Sequence, residues 1–240
     1  MESVFSFEYP IRPCDLDCRY QLQPAGVLDM FQDVAGRHAV ELGIGYPQFV
    51  PKNLMWIVSG IRYQVIATPA MDQTVRIVTW PLRAGTVTCR REYRMESLSG
   101  EVLVVGTSDW AVVDAVSRKL VRAKDIYPKD LEFTEALAIE GKQPRLSDFT
   151  PEGAGVVVVP AFAELDMNGH VNNTKYANFI LNAADLKPNE QIQDFHIHYR
   201  KELLKGEAVT VHVKRQEKEI LAMGKNEKDE TMFSGRILLK

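Results

Sequence analysis

The sequence predicts an α+β protein made of two small domains in tandem, each an antiparallel sheet curled round one buried helix. Three observations lead there. First, Asp15–Ala35 lies on Glu164–Ala184 without a gap: Leu16 meets Leu165, Asp17 meets Asp166, and Ala35 meets Ala184. An ungapped self-match of this kind marks a duplicated unit. Second, each copy opens with an apolar extended run and continues into a helix-like stretch. Third, each copy then passes into runs of valine, isoleucine, threonine and aromatic residues separated by turn residues, which read as strands.

Taken in order, "SFEYPIR" is the first extended run, and Val27, Phe31, Val34 and His38 trace the stripe of the first helix. Gly43 and Gly45 end that helix. The strands expected next are "LMWIVSGIRYQVIA", "QTVRIVTW", "TVTCRREYRMES", "VLVVGTSDWAVVD" and "KLVRA". The polar, proline-bearing stretch Gly141–Gly155 is the expected linker, so the domains are 1–140 and 156–240. The second copy starts with "VVVVPAFA". Tyr176, Phe179, Ile180 and Ala183 then fall at helical spacing, with Ala177, Leu181 and Ala184 on the other faces, so this helix is apolar nearly all round and buried. Its strands are "DFHIHYRKELL", "AVTVHVKR", "EILAMG" and "TMFSGRILL".

Composition narrows the function classes. At 45% hydrophobic and 25% charged, the chain is an ordinary globular protein, large enough to need no disulfide or metal staple. A net charge of −3 provides no global attraction to nucleic acid or membrane. No apolar run reaches the ~18 residues of a bilayer span. The start "MESVFSFEYPIRP" lacks a basic segment followed by an apolar one, and Cys14, Cys18 and Cys89 make an odd set, so a cytoplasmic setting with free thiols is expected. Cys14 and Cys18 have no second pair to complete a metal site. No cofactor is expected either: there is no glycine-rich phosphate loop, and "LGIGYP" is a helix ending. A G-x-S-x-G elbow is also missing.

The chemistry concentrates in "DMNGHVNN", Asp166–Asn173. If Asp166–His170 is extended, Asp166, Asn168 and His170 project to one side, and Gly169 leaves room for a substrate against the backbone. Asn172 or Asn173 is placed to cap the helix that follows. A helix start carries unpaired N–H groups and partial positive charge, which stabilise an oxygen gaining negative charge. Carboxylate, amide and imidazole beside such a start suit hydrolysis of an activated acyl group. Asp and Asn ahead of a helix also serve purely as turn and cap residues. Here the first copy is an internal control: Asp17 persists, but Arg19 stands at the position of Asn168 and Gln21 at that of His170. The amide and imidazole are thus not demanded by the connection itself. His38, His196, His198 and His212 sit on helix or strand patterns and read as structural.

"ELDMNGHVNNTKYANFIL" closely resembles the "LDMNQHVNNVKY" motif of the acyl–acyl carrier protein thioesterases, and "HIHYRKEL" resembles that family's "YRREC" strand. In the amino-terminal half "CRREYRM" and "SDWAVVDAVSRKLVRA" are similar to its strand pair. The resemblance implies a tandem hotdog fold whose carboxy-terminal half is catalytic and whose amino-terminal half sets acyl-chain specificity. It implies catalytic roles for Asp166, Asn168, His170 and Glu202. In one version of the family's chemistry the aspartate is nucleophile or water activator; in another the cysteine after the glutamate acts as in papain. That cysteine position is Leu203 here, which favours the carboxylate version. Matching Tyr199 to Tyr63 aligns Glu202 with Ile66. Strict alternation puts Glu202 on the strand face of His196, His198 and Arg200, so a bulge or a site at the junction of the halves must bring it to the others.

The implied activity is hydrolysis of fatty acyl–acyl carrier protein to free fatty acid and carrier protein, ending chain elongation. Rival readings are a hotdog thioesterase acting on acyl-CoA or aromatic-CoA esters and a non-catalytic acyl-binding protein. A hydratase would need the D-x-N-P-x-H pattern, which Gly169-His170 breaks. The implied partner is an acidic carrier protein, for which Arg90, Arg91, Arg94, Arg118, Lys119, Arg122 and Lys124 are candidate docking residues. A homodimer is left open, since a tandem chain already contains the pairing that single hotdog chains reach by dimerising.

Overall fold

A computed structural model describes residues 2–240. The first copy comprises β1 (Phe5–Pro10), the long helix α1 (Pro24–Glu41), a short helix α2 (Tyr46–Phe49), β2 (Leu54–Val65), β3 (Thr74–Pro81), β4 (Cys89–Ser97) and β5 (Val102–Asp114). The second comprises β6 (Val156–Val158), α3 (Lys175–Ala184), β7 (Ile192–Tyr199), β8 (Val209–Arg215), β9 (Glu219–Asn226) and β10 (Thr231–Leu239). The strands form one antiparallel sheet of ten in the order β1-β3-β4-β5-β2-β7-β10-β9-β8-β6. From the outer edge inward, both halves run in the same order.

The halves join where β2 pairs with β7, and the pairing is symmetric about Arg62↔His196: Gly60↔His198 on one side is matched by Gln64↔Asp194 on the other. The duplication seen in the sequence is therefore a two-fold relation in space, the tandem hotdog arrangement. Each helix is gripped by its half of the sheet through a glycine. Phe31 of α1 stacks on Tyr93 with ring centroids 4.4 Å apart and lies over Gly106, where an added Cβ would meet Phe31 at 2.3 Å. Ile180 of α3 lies over Gly235 in the same way, where a Cβ would meet its Cδ1 at 2.6 Å. Both helix residues are fully buried, and each side chain of this kind contributes about 1.5–3 kcal/mol of hydrophobic stabilisation.

One expectation needs correction. "KLVRA" is no strand: only Leu120 bridges to Val113, and the chain then turns through Ala123–Asp125. The connection between the halves is held against the sheet. Residues 126–155 contain no regular element but are tied down along their length. Trp80 Nε1 donates to Ala136 O at 2.8 Å, the Ala138 N–H to Glu92 Oε2 at 2.7 Å, Arg90 to Gly141 O at 2.8 Å, and Arg200 to Leu146 O at 3.1 Å. Backbone groups on this strap are satisfied by side chains of the sheet beneath it.

Candidate active site

The segment from Asp166 to His170 is a tight turn, not an extended run. The Asp166 N–H donates to His170 O at 2.8 Å and the Gly169 N–H to Asp166 O at 3.1 Å. The Asp166 carboxylate faces its own loop: Oδ1 accepts the N–H of Asn168 at 2.8 Å and of His170 at 3.2 Å. An aspartate that captures the amide two residues on replaces a strand ladder with a local turn. Gly169 has φ +79°, so glycine here serves the left-handed turn position, and the space beside it is open.

The first copy builds the same turn. The Asp17 N–H donates to Gln21 O at 2.8 Å, and Asp17 Oδ1 accepts from the N–H of Arg19 at 2.8 Å and of Gln21 at 3.1 Å. Tyr20, at φ 57°, occupies the place of Gly169. The aspartate is thus part of the scaffold in both halves. What distinguishes the second half is Asn168 and His170. The Asn168 side chain is exposed, and its Nδ2 lies 3.4 Å from Asp166 Oδ2.

Glu202 reaches His170 because the strand breaks. Beyond the end of β7 the N–H groups of Arg200 and Lys201 both donate to Met232 O, at 2.9 and 3.1 Å, which is the geometry of a β-bulge. The chain then runs beside the turn. The Val171 N–H donates to Leu203 O at 2.8 Å, His170 bridges to Leu204, and the Leu203 N–H donates to the Tyr176 hydroxyl at 3.0 Å. Glu202 Oε2 ends 3.4 Å from His170 Nε2. Leu203, at the family's cysteine position, is fully buried.

The same bulge closes β2, where the N–H groups of Ile66 and Ala67 both donate to Leu103 O at 2.8 and 3.0 Å. The counterpart of Glu202 is therefore Thr68, not Ile66. Thr68 Oγ1 donates to Gln21 Oε1 at 3.1 Å, so the first half carries a threonine–glutamine pair where the second carries glutamate and histidine.

Arg118 was missed as a site residue. It lies beyond β5 in the first half, with φ 59°, and its guanidinium Nη2 binds Glu202 Oε2. No local pattern in the sequence links two residues separated by 84 positions. Asn172 fulfils its expected role only indirectly: its Oδ1 accepts the N–H and hydroxyl of Thr174, both at 3.0 Å, and its carbonyl takes the Lys175 N–H at 2.9 Å. The helix start thus has fewer free N–H groups than expected, which leaves the Asn168 amide as the prominent side-chain donor.

These residues line a cleft of about 1180 Å³ that spans both halves. Asn168, His170 and Glu202 form part of its wall, and Ala39, Phe49 and Trp56 of the first half form an apolar part. Phe31 belongs to the closed core and Trp56 to the cleft. His38 and His196 are buried elsewhere. Burial, helped by the nearby Arg91, holds His38 down to about 4; burial, helped by His198, holds His196 down to about 3.

The docking set also changes. Arg91 is buried, Arg90 pairs with Glu92 at 2.7 Å, Arg94 pairs with Glu96 at 2.9 Å, and Arg118 holds Glu202. Lys119, Arg122 and Lys124 remain exposed.

A two-fold pair of hotdog units with one polar constellation at their junction defines the class of protein. The acyl-ACP thioesterase N-terminal domain matches residues 2–130 and the acyl-ACP thioesterase C-terminal domain matches residues 157–237. The chain belongs to the acyl-ACP thioesterase family. It is 28% identical over 214 residues to a chloroplastic palmitoyl-acyl carrier protein thioesterase of Gossypium hirsutum, covering 83% of this chain and 52% of that protein. It is 26% identical over 203 residues to oleoyl-acyl carrier protein thioesterase 1 of Arabidopsis thaliana, covering 76% of this chain and 56% of that protein. The chain therefore spans about half the length of these plant relatives. Among solved structures, an acyl-ACP thioesterase from Bacteroides thetaiotaomicron superposes with a TM-score of 0.86 at 19% identity, covering 99% of this chain and 98% of that one. The 12:0-ACP thioesterase from Umbellularia californica superposes at 0.83 and 20% identity, covering 99% and 97%. These two likenesses establish the fold.

Proposed function

We propose that the chain hydrolyses the thioester of a fatty acyl chain held on acyl carrier protein, releasing free fatty acid and ending elongation. The observation that carries the reading is the asymmetry of an otherwise two-fold molecule: Asn168, His170 and Glu202 line the cleft, while Arg19, Gln21 and Thr68 hold the equivalent places. The Asn168 amide donates to the thioester carbonyl oxygen as it gains charge. Water attacks the carbonyl carbon, His170 takes its proton, and the carbon–sulfur bond breaks as that proton passes to the carrier thiolate. With Nε2 turned to Glu202, Nδ1 is the nitrogen left to accept the proton. Glu202, steadied by Arg118, stabilises the imidazolium; Asp166 holds the turn that presents both Asn168 and His170.

The amino-terminal half supplies the apolar part of the cleft and so the chain-length preference. Its β2–β7 junction with the second half already supplies the inter-unit pairing, so no homodimer is required for the site. Free Cys14, Cys18 and Cys89 fit a cytoplasmic setting. The test is thiol release from a panel of acyl–acyl carrier proteins with the matching acyl-CoAs alongside and a no-substrate blank for the protein's own thiols. Release from carrier-bound chains supports the proposal. Activity on CoA esters alone would reassign the substrate, and acyl binding with no release from any thioester would make this a binding protein.

A further inference from the structure

Asp148, on the strap between the halves, sits at the bulge that ends β7, where the N–H groups of Arg200 and Lys201 share Met232 O. Its one carboxylate pins both strands of that bulge. On the β7 side the Arg200 guanidinium pairs with Asp148 Oδ1 at 2.6 Å. On the β10 side Thr231 Oγ1, one residue from the shared carbonyl, donates to Asp148 Oδ2 at 2.9 Å. Arg200 Nη2 also donates to Leu146 O on the strap and to Ser234 Oγ on β10, both at 3.1 Å. The side chains of Arg200 and Asp148 are 37% and 46% exposed, and an ion pair so exposed adds little to global stability. Its effect is local: it fixes the chain two residues before Glu202.

The first half is again an internal control. Its bulge has the same backbone hydrogen bonds, from Ile66 and Ala67 to Leu103 O. Ile66 stands where Arg200 does, Val102 where Thr231 does, and Thr68 where Glu202 does. Neither Ile66 nor Val102 can bind a carboxylate. The fold therefore makes this bulge without a clamp, and the clamp accompanies the bulge that carries the glutamate. A bulge re-aims the side chains beside it, and a small misplacement of a reacting group is costly to rate. Glu202 Oε2 lies 3.4 Å from His170 Nε2, a contact that little displacement would break.

We propose that Asp148 and Arg200 are positioning residues of the active site: the strap clamps the β7 bulge and so holds Glu202 against His170. The inference rests on the thioesterase reading above.

The experiment measures thiol release from acyl–acyl carrier protein by wild type, Asp148→Ala, Asp148→Asn and Asp148→Glu, and by Asp148→Ala in a Glu202→Ala background. Asp148→Ala should lower kcat by about ten-fold with KM nearly unchanged, and Asp148→Glu should restore most of it. In the Glu202→Ala background the same change should alter kcat by less than about two-fold, because the clamp acts only through that carboxylate. A merely structural tie would cost as much in both backgrounds. Wild-type kcat in Asp148→Ala, or equal losses in the two backgrounds, would overturn the proposal. Should Asp148→Ala not fold, Asp148→Asn, which keeps an acceptor for Thr231 and removes the charge, carries the same comparison. Amide exchange reads the clamp without turnover: the N–H groups of Arg200 and Lys201 should exchange about ten-fold faster in Asp148→Ala, and unchanged exchange would also overturn it. If wild type cleaves no thioester, the functional reading fails instead, and the exchange rates alone decide whether the strap clamps the bulge.

Discussion

Asp166 separates a scaffold role from a chemical one, because the first half contains its structural duplicate. Replacing Asp166 with alanine removes two backbone N–H bonds to a carboxylate oxygen, at 2.8 and 3.2 Å. Bonds to charged groups are worth up to about 3 kcal/mol each, but this turn is only half-buried and water replaces part of the loss, so about 2 kcal/mol is expected. For a chain of this length that lowers Tm by about 4–8 °C. Asp17→Ala should lose a similar amount, since Asp17 accepts the equivalent N–H bonds at 2.8 and 3.1 Å and adds Arg19 as a partner. Asp166→Asn retains an acceptor oxygen and should cost under about 1 kcal/mol. The decisive reading is the activity of that variant. A positioning aspartate leaves Asp166→Asn within about a hundred-fold of wild type, the cost of a small misplacement. Loss of a nucleophile costs on the order of 10⁴ or more. Thermal melts and thiol release on Asp17→Asn and Asp166→Asn together make the comparison. An Asp166→Asn protein as stable as wild type but silent would refute the scaffold role and make the carboxylate the attacking group.

Four further outcomes follow from the same geometry. Arg118→Met should lower kcat by about ten-fold with KM nearly unchanged, and Arg118→Lys should restore part of it; stability should move by less than about 1 kcal/mol because the ion pair is half-exposed. His170→Ala and Glu202→Gln should each cost about 10²–10⁴ in kcat, and the double variant little more than the worse single, because the two act as one unit. Reversing Lys119 and Arg122 to glutamate should raise KM for the carrier-bound substrate and spare the CoA ester; equal effects on both would remove the docking face. Stability should also fall in mild acid. The unfolded chain protonates His38 below pH ~6.5, whereas burial keeps the folded imidazole neutral down to about 4. The stabilisation is thus complete above the unfolded pKa and declines, by on the order of 2 kcal/mol, as the pH drops toward the folded one. Urea unfolding at graded pH should show this slope, and His38→Gln should reduce it, leaving the part that His196, held down to about 3 by burial, contributes in the same range.

Much of this was legible because the chain repeats itself. The ungapped match of Asp17 to Asp166 marks a turn that superposes amide for amide, and the pairing of Phe31 with Ile180 marks two helix residues that sit over equivalent glycines. The errors have physical causes. Polar residues at alternate positions describe one face of a strand, but they also describe an aspartate turn that captures the amides two and four residues on; Asp166 makes the second. Aligning Tyr199 with Tyr63 followed residue identity, whereas the bulges at Arg200 and Ile66 fix the register and pair Glu202 with Thr68. Arg118 and Arg91 looked alike as surface charge. Only the fold sends one across the junction to Glu202 and the other inward to His38.

The most direct test makes the second half resemble the first. Asn168→Arg, His170→Gln and Glu202→Thr combined install the residues that the first half carries in the same turn and bulge. The account predicts a protein that melts within a few degrees of wild type and binds acyl chains, yet releases no carrier thiol above the blank. A folded triple variant that still hydrolyses acyl–acyl carrier protein would contradict the claim that catalysis resides in these three residues.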